Sequence, residues 1–227
     1  MQERSRDFSL RIGQRKRGMH SQMTDLTLYL LRHGEATANV DRVFAAKKVD
    51  PPLSQAGIEQ ALRQAGWLRT AGVDVIHSSP LIRARKTAEI IGAECKLDVK
   101  FFDALREVDV GVLDGQSMDD ASNIAIYERV VKQWEAGLAS VGFPEGETLS
   151  DIENRFKAYI DGLDDGEERS VLTVGHCLLF MAVIWLFCEN HGPSFEHGHM
   201  SRGHVPIMSM ADKRFRLVKF NLSPEMI

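Results

Sequence analysis

Arg32 and His33 follow an apolar run, LTLYLL over Leu26–Leu31, and similar junctions recur twice further along the chain. Arg83 stands in SSPLIRARKTA directly after the run VDVIHSS, and His176 ends the run SVLTVGH. These residue types suit one chemistry. The planar guanidinium of arginine can pair with two phosphoryl oxygens at once, which the point charge of lysine does less well. A neutral imidazole beside it carries a lone pair that can attack phosphorus, and the covalent intermediate divides one hard displacement into two easier ones. A second imidazole, kept protonated by the phosphate, would stabilise the equatorial oxygens. His33 is thus the candidate nucleophile, and Arg32, Arg83 and His176 are the candidate phosphate pocket.

Such side chains meet only if the elements that carry them run side by side. Short apolar strand candidates (26–31, 73–79 and 170–176) alternate with helical patterns around Gly57–Arg69, from Pro80 to about Gly92, and over the apolar stretch Cys177–Cys188. That alternation predicts an α/β three-layer sandwich, with a mostly parallel central sheet and helices on both faces. VPIMSM (205–210) is a further strand candidate, and FRLVKFNL (215–222) is expected to close the sheet at an edge. In open parallel sheets, ligands bind outside the carboxyl ends of the strands, where the three junctions would converge. The helix start after Pro80 is expected to add amide donors for the phosphate.

Between Glu107 and Ser170 lies an insertion with two helical segments, read as a small helical cap over the site. The first carries Ile124, Ile126, Val130, Val131 and Trp134 near helical spacing; the second has Ser150 as the expected N-cap, with Glu153 completing a capping box. The expected organisation is a basic N-terminal tail over 1–23 and one domain over 24–227, with the cap inside 107–170.

Composition narrows the class. The 227 residues are 44% hydrophobic and 26% charged, which suits a globular domain and excludes fibrous or disordered chains. Net charge is −4, but Met1–Met23 holds six basic residues against two acids, so the remainder is near −8 and does not suit nucleic acid. The basic start reads as a plain tail, with a targeting peptide or an upstream translation start as alternatives. Three cysteines without C-x-x-C spacing indicate neither a disulfide framework nor a zinc cluster and fit a reducing, cytoplasmic setting. CLLFMAVIWLFC is too short to span a bilayer and reads as a buried helix, so no membrane partner is expected.

Five ordered blocks carry a resemblance to the histidine phosphatase superfamily, whose members include the cofactor-dependent phosphoglycerate mutases. LRHGEATAN resembles R-H-G-E-T-x-x-N, and DPPLSQAGIEQA is similar to the D-x-P-L-T-x-x-G-x-x-Q-A segment that follows it. SSPLIRARKTA resembles S-P-L-x-R-A-x-x-T-A, LREVDVGVLDG resembles L-x-E-x-x-x-G-x-x-E-G, and VGHC stands where V-S-H-G is usual. The resemblance covers Leu26 to about Phe220. It implies His33 as phosphate acceptor, Arg32, Arg83 and His176 as phosphate pocket, and Glu107 as proton donor to the leaving alkoxide and later as base for water. Asn39 would contact phosphate or substrate. Two positions depart from the pattern: Cys177 replaces a glycine, which bears on the loop's amide geometry and places Cys177 against the substrate, and Asp114 replaces a glutamate, a change to which little weight attaches.

The resulting expectation is a metal-independent phosphomonoesterase that hydrolyses a small phosphorylated metabolite through a phosphohistidine on His33, with no cofactor and no metal. The alternatives are a cofactor-dependent phosphoglycerate mutase, a non-catalytic phosphate-ligand-binding protein on the same fold, and a phosphohistidine protein phosphatase. Partners are limited to the small phosphomonoester, with a homodimer left open. Glu35 and Asp109 stand as alternative carboxylates to Glu107. Arg42, Lys47 and Lys48 either read a second acidic group on the substrate or only solubilise the surface. His191, His197, His199 and His204 crowd one segment, but their spacing does not match a zinc pattern. Arg202 and His204 could reach the substrate pocket.

Overall fold

The computed structural model describes residues 26–164, 169–195, 205–211 and 214–222. Six strands form one sheet: β1 (Leu26–Arg32), β2 (Val75–Ser78), β3 (Val99–Phe101), β4 (Ser170–Gly175), β5 (Val205–Ala211) and β6 (Arg214–Leu222), in the order β3-β2-β4-β1-β5-β6. The first four strands in that order run parallel, while β5 lies antiparallel to β1 and β6 antiparallel to β5 at the edge. The helices among the described residues are α1 (Thr37–Val40), α2 (Gln55–Leu68), α3 (Ile82–Cys95), α4 (Ala121–Glu135), α5 (Leu149–Asp164) and α6 (Cys177–Phe187). The α/β sandwich expected from the sequence is present. β3 had no counterpart in the sequence reading, because three residues are too few to show a period.

Alternation along β1 divides the core. Leu26, Leu28 and Leu30 join a large apolar cluster with α5 and α6, whereas Leu31 faces a second cluster built from α2 and α3. Helices therefore cover both faces, as a parallel sheet buried on both sides requires. α6 is apolar all round, with Leu178 through Ile184 buried, which identifies it as a core helix.

The segment read as a cap divides in two. α5 belongs to the sandwich: Ile152 and Phe156 are fully buried, and the Tyr159 hydroxyl meets His77 Nδ1 on β2 at 2.9 Å. α4 instead contributes Tyr127 to the wall of the cleft described below. The start of α5 also differs from expectation. Thr148, not Ser150, caps it, because the Asp151 amide donates to Thr148 Oγ1 (3.1 Å) while the Thr148 amide donates back to Asp151 Oδ2 (2.9 Å). Ser150 donates its hydroxyl to the Ala139 carbonyl instead. The capping box is real but two residues earlier, with Asp151 in the place expected for Glu153.

Candidate active site

Sheet register brings the two histidines together. Arg32 pairs with Gly175 across β1 and β4, and the His33 amide donates to the Gly175 carbonyl at 3.0 Å, so His33 and His176 leave adjacent strands at the same level. Their ring centroids lie 5.1 Å apart, and both side chains are buried. β2 adds Ser79, whose amide donates to the Val174 carbonyl and whose Oγ lies 2.9 Å from His176 Nε2. Three parallel strand ends thus converge on one point.

The loop that carries His33 is held by close backbone approach. A Cβ on Gly34 would lie 2.4 Å from the Gly57 carbonyl oxygen, and one on Gly57 would lie 2.1 Å from that of Glu35. Two glycines therefore let the first turn of α2 press against the loop. Ser54 caps that helix by accepting from the Gly57 amide and donates its own hydroxyl to Glu35 Oε1 at 2.9 Å. Glu35 is accordingly a strut of this contact and does not line the cleft.

His33 has a defined tautomer. Its Nδ1 donates to the Gly34 carbonyl at 2.6 Å, which leaves Nε2 with a lone pair, and Arg83 Nε donates toward that atom at 3.3 Å. Arg83 is 2% exposed. It also donates from Nη1 to Asp50 (3.1 Å) and from Nη2 to the Ala45 carbonyl (2.9 Å). Among the described residues three of its five N–H donors are therefore engaged, which leaves two for a ligand.

Asp50 was not singled out from the sequence, although it opens the DPPLS block. Its carboxylate accepts from the Ile82 amide at 2.9 and 3.0 Å. The Leu81 amide in turn donates to Ser79 Oγ at 3.2 Å. Two of the amides at the start of α3 are thus engaged by protein groups, and Asp50, which takes that of Ile82, also holds Arg83.

Asp114 has more weight than its place as a departure suggested. Only 7% exposed, it accepts from the backbone amides of Ala46, Lys47, Lys48 and Val49, so one carboxylate shapes the loop that carries the Ala45 carbonyl and Asp50. A buried acid is tolerated there because each oxygen is satisfied.

Glu107 lies at the start of α6. Its carboxylate accepts from the Leu179 amide (2.9 Å), from the Leu178 amide (3.4 Å) and from its neighbour Val108 (2.9 Å). Arg155 on α5 donates to the carbonyls of Ala104 and Arg106 just before it. The same guanidinium pairs with Glu147, which also accepts from the Asp109 amide on the other side. Glu147 and Arg155 therefore clamp the Glu107 segment from both ends; no local sequence signal marks a residue so distant in the chain. Asp109 binds Lys47 (3.6 Å) and the Gly111 amide, outside the main cleft.

Arg32, His33, Asn39, Arg83, Glu107 and Cys177 all line one cavity of about 180 Å³. Asn39 Oδ1 accepts from the Ala36 amide, which fixes the loop's first turn. Cys177 takes up ordinary backbone at the first position of α6, with its Sγ 3.8 Å from Met181 Sδ, so the exchange of glycine for cysteine introduces no strain. His176 is wholly buried beside the cavity, and its Nδ1 has no partner among the described residues. Burial first, and then the charges of Arg83, His33 and Arg32, hold its pKa well below the ordinary histidine value.

Arg42 pairs with exposed Asp119 at the surface, which fits its solubilising alternative. His191 stacks near Trp185, with ring centroids 4.1 Å apart, while His197, His199, Arg202 and His204 lie outside the described residues, as does the basic stretch 1–23. Among the described residues no three His, Cys, Asp or Glu side chains gather as metal ligands, and no helix is long and apolar enough to cross a membrane. Cys188 is inert as a nucleophile, since burial pushes its thiol up to about 12.

Residues 28–223 match the histidine phosphatase superfamily, branch 1. The chain belongs to that family. It is 34% identical over 152 residues to a probable phosphoglycerate mutase of Escherichia coli O1:K1, across 66% of this chain and 69% of the relative. The solved structure of a mycobacterial glucosyl-3-phosphoglycerate phosphatase matches with a TM-score of 0.72 at 25% identity, over 88% of this chain and 100% of that one. A Bacillus anthracis phosphoglycerate mutase shares the fold, with a TM-score of 0.72 at 21% identity over 90% and 96% of the two chains. The superfamily is one of phosphoryl-transfer enzymes, and both phosphatases and mutases are among the proteins this chain resembles.

Proposed function

We propose that this member of the superfamily is a metal-independent phosphomonoesterase acting through a phosphohistidine on His33. The observation that carries the reading is the state of that ring: Nδ1 is spent on the Gly34 carbonyl, and Nε2 presents a lone pair beside Arg83 at the cavity. Nε2 attacks phosphorus as the ester P–O bond breaks, and the leaving alkoxide takes a proton from the Glu107 carboxyl. Glu107, now a carboxylate, removes a proton from water as the water oxygen attacks the phosphohistidine, so inorganic phosphate leaves and His33 is regenerated. Arg32 and Arg83 balance the dianion, and the Nδ1 of His176, without a partner among the described residues, gains an acceptor when phosphate binds. Asn39 and Cys177 border the substrate.

The test is chemical trapping. Brief mixing with a 32P-labelled phosphomonoester should place label on His33 that acid removes and alkali spares, and His33→Ala should lose both label and turnover. Activity should persist in EDTA, since arginines and imidazole supply the positive charge. Label on another residue, or loss of activity on chelation with recovery on added metal, refutes the reading.

A further inference from the structure

Resting on the phosphomonoesterase reading, we infer that the alcohol half of the substrate is uncharged and apolar, and that it lies in a groove running from His33 along α4. The cavity that holds His33 owes its only formal charges among the described residues to Arg32, Arg83 and Glu107. Those three are at the phosphate end. The apolar part of the lining includes Val43, Phe44, Met118, Tyr127 and Met181, and Phe44 and Tyr127 lie 5.9 Å apart between ring centroids.

The cavity does not stop there. A second one, of about 660 Å³, shares Phe44, Met118, Tyr127 and Met181 with the first and continues past Ile124 and Val131. The charged side chains along this extension are Glu128, Glu135 and Lys132, and Lys132 Nζ lies 3.9 Å from the Glu128 carboxylate. Its balance is acidic. A carboxylate-bearing substrate such as a phosphoglycerate would meet no unpaired cation there among the described residues and would face like charge, whereas a hydrocarbon chain would be removed from water against methionine, aromatic and aliphatic side chains. Interactions with this remote half of the substrate can be used to lower the barrier at phosphorus, so the preference belongs in kcat/KM.

The experiment compares ethyl, butyl and hexyl phosphate, whose leaving alcohols differ little in acidity, with 3-phosphoglycerate. Each added methylene should raise kcat/KM by about two- to fourfold, the range for partial to full burial of that group. 3-Phosphoglycerate should fall below hexyl phosphate by tenfold or more. In Met118→Ser, a change at a half-buried loop residue, the ratio of hexyl to ethyl phosphate should drop at least fivefold. A flat or falling chain-length series, an unchanged ratio in Met118→Ser, or 3-phosphoglycerate as the best substrate overturns the inference while leaving the phosphomonoesterase reading in place. Calorimetric titration with the matching n-alkylphosphonates needs no turnover: affinity that rises with chain length in a protein that hydrolyses none of the esters supports the groove and refutes the phosphomonoesterase reading instead.

Discussion

His176, wholly buried, and Glu107, half-buried, show how differently two polar groups can be prepared for one reaction. The pKa of His176 is depressed in the folded state, so between that value and the unfolded value near 6.5 the unfolded chain binds more protons. Stability from this residue is therefore complete above pH 6.5 and falls as pH drops toward the folded pKa, with a slope of up to about 1.4 kcal/mol per pH unit. Urea midpoints from pH 7.5 to 5 should decline less in His176→Gln than in the native protein; parallel declines would show that the ring does not carry the effect. Glu107, the proposed acid, is held in place by three backbone amides. Glu107→Gln should slow the pre-steady-state burst on an alkyl phosphate by about 10²–10⁴-fold and on p-nitrophenyl phosphate far less, because p-nitrophenolate leaves without a proton. Equal losses on both would remove Glu107 as donor.

At the scale of elements, the contact of α2 with the loop that carries His33 is set by two missing side chains. Gly57→Ala places a methyl 2.1 Å from the Glu35 carbonyl oxygen, and backbone on both sides cannot yield as a flexible side chain would. The expected cost is about 1–3 kcal/mol of overpacking, together with a fall in kcat of up to about 10²-fold as His33 shifts. Thermal melts and steady-state kinetics on the purified variant check both; a fully active Gly57→Ala protein would show that the loop does not depend on α2. The same contact explains why the SQAGIEQA block follows the His33 block in the chain without itself carrying a group of the cavity wall.

Across the whole molecule, the Glu107 segment is supported from α5 by the Arg155–Glu147 pair, whose side chains are 19% and 23% exposed. Arg155→Met should cost about 2–3 kcal/mol, since carbonyl and carboxylate acceptors lose a charged donor. Because the residue acts through Glu107, activity on an alkyl phosphate should fall more than activity on p-nitrophenyl phosphate, a contrast that simple destabilisation would not produce. Equal loss on both substrates, after correction for folded fraction, would leave Arg155 only a stabilising role.

What could be read from the sequence was chemistry and period. Arg32, His33, Arg83 and His176 stood out as candidates because residue type determines what a side chain can do to phosphorus, Glu107 only through the resemblance of LREVDVGVLDG to a family block, and strand and helix periods, being local, placed β1, α2, α3 and α6. Tertiary structure decided the rest, through partners far apart in the chain. Register between β1 and β4 set the 5.1 Å spacing of the two histidines. Asp50 tied the Ile82 amide at the start of α3 to Arg83, and Asp114 gathered four amides from a loop more than sixty residues earlier. Thr148 displaced Ser150 as cap because only its hydroxyl meets the Asp151 amide at the turn the chain takes. The apolar groove along α4 arises in the same way: Phe44, Met118, Tyr127 and Met181 show no shared period in the sequence, and packing alone brings them to one wall.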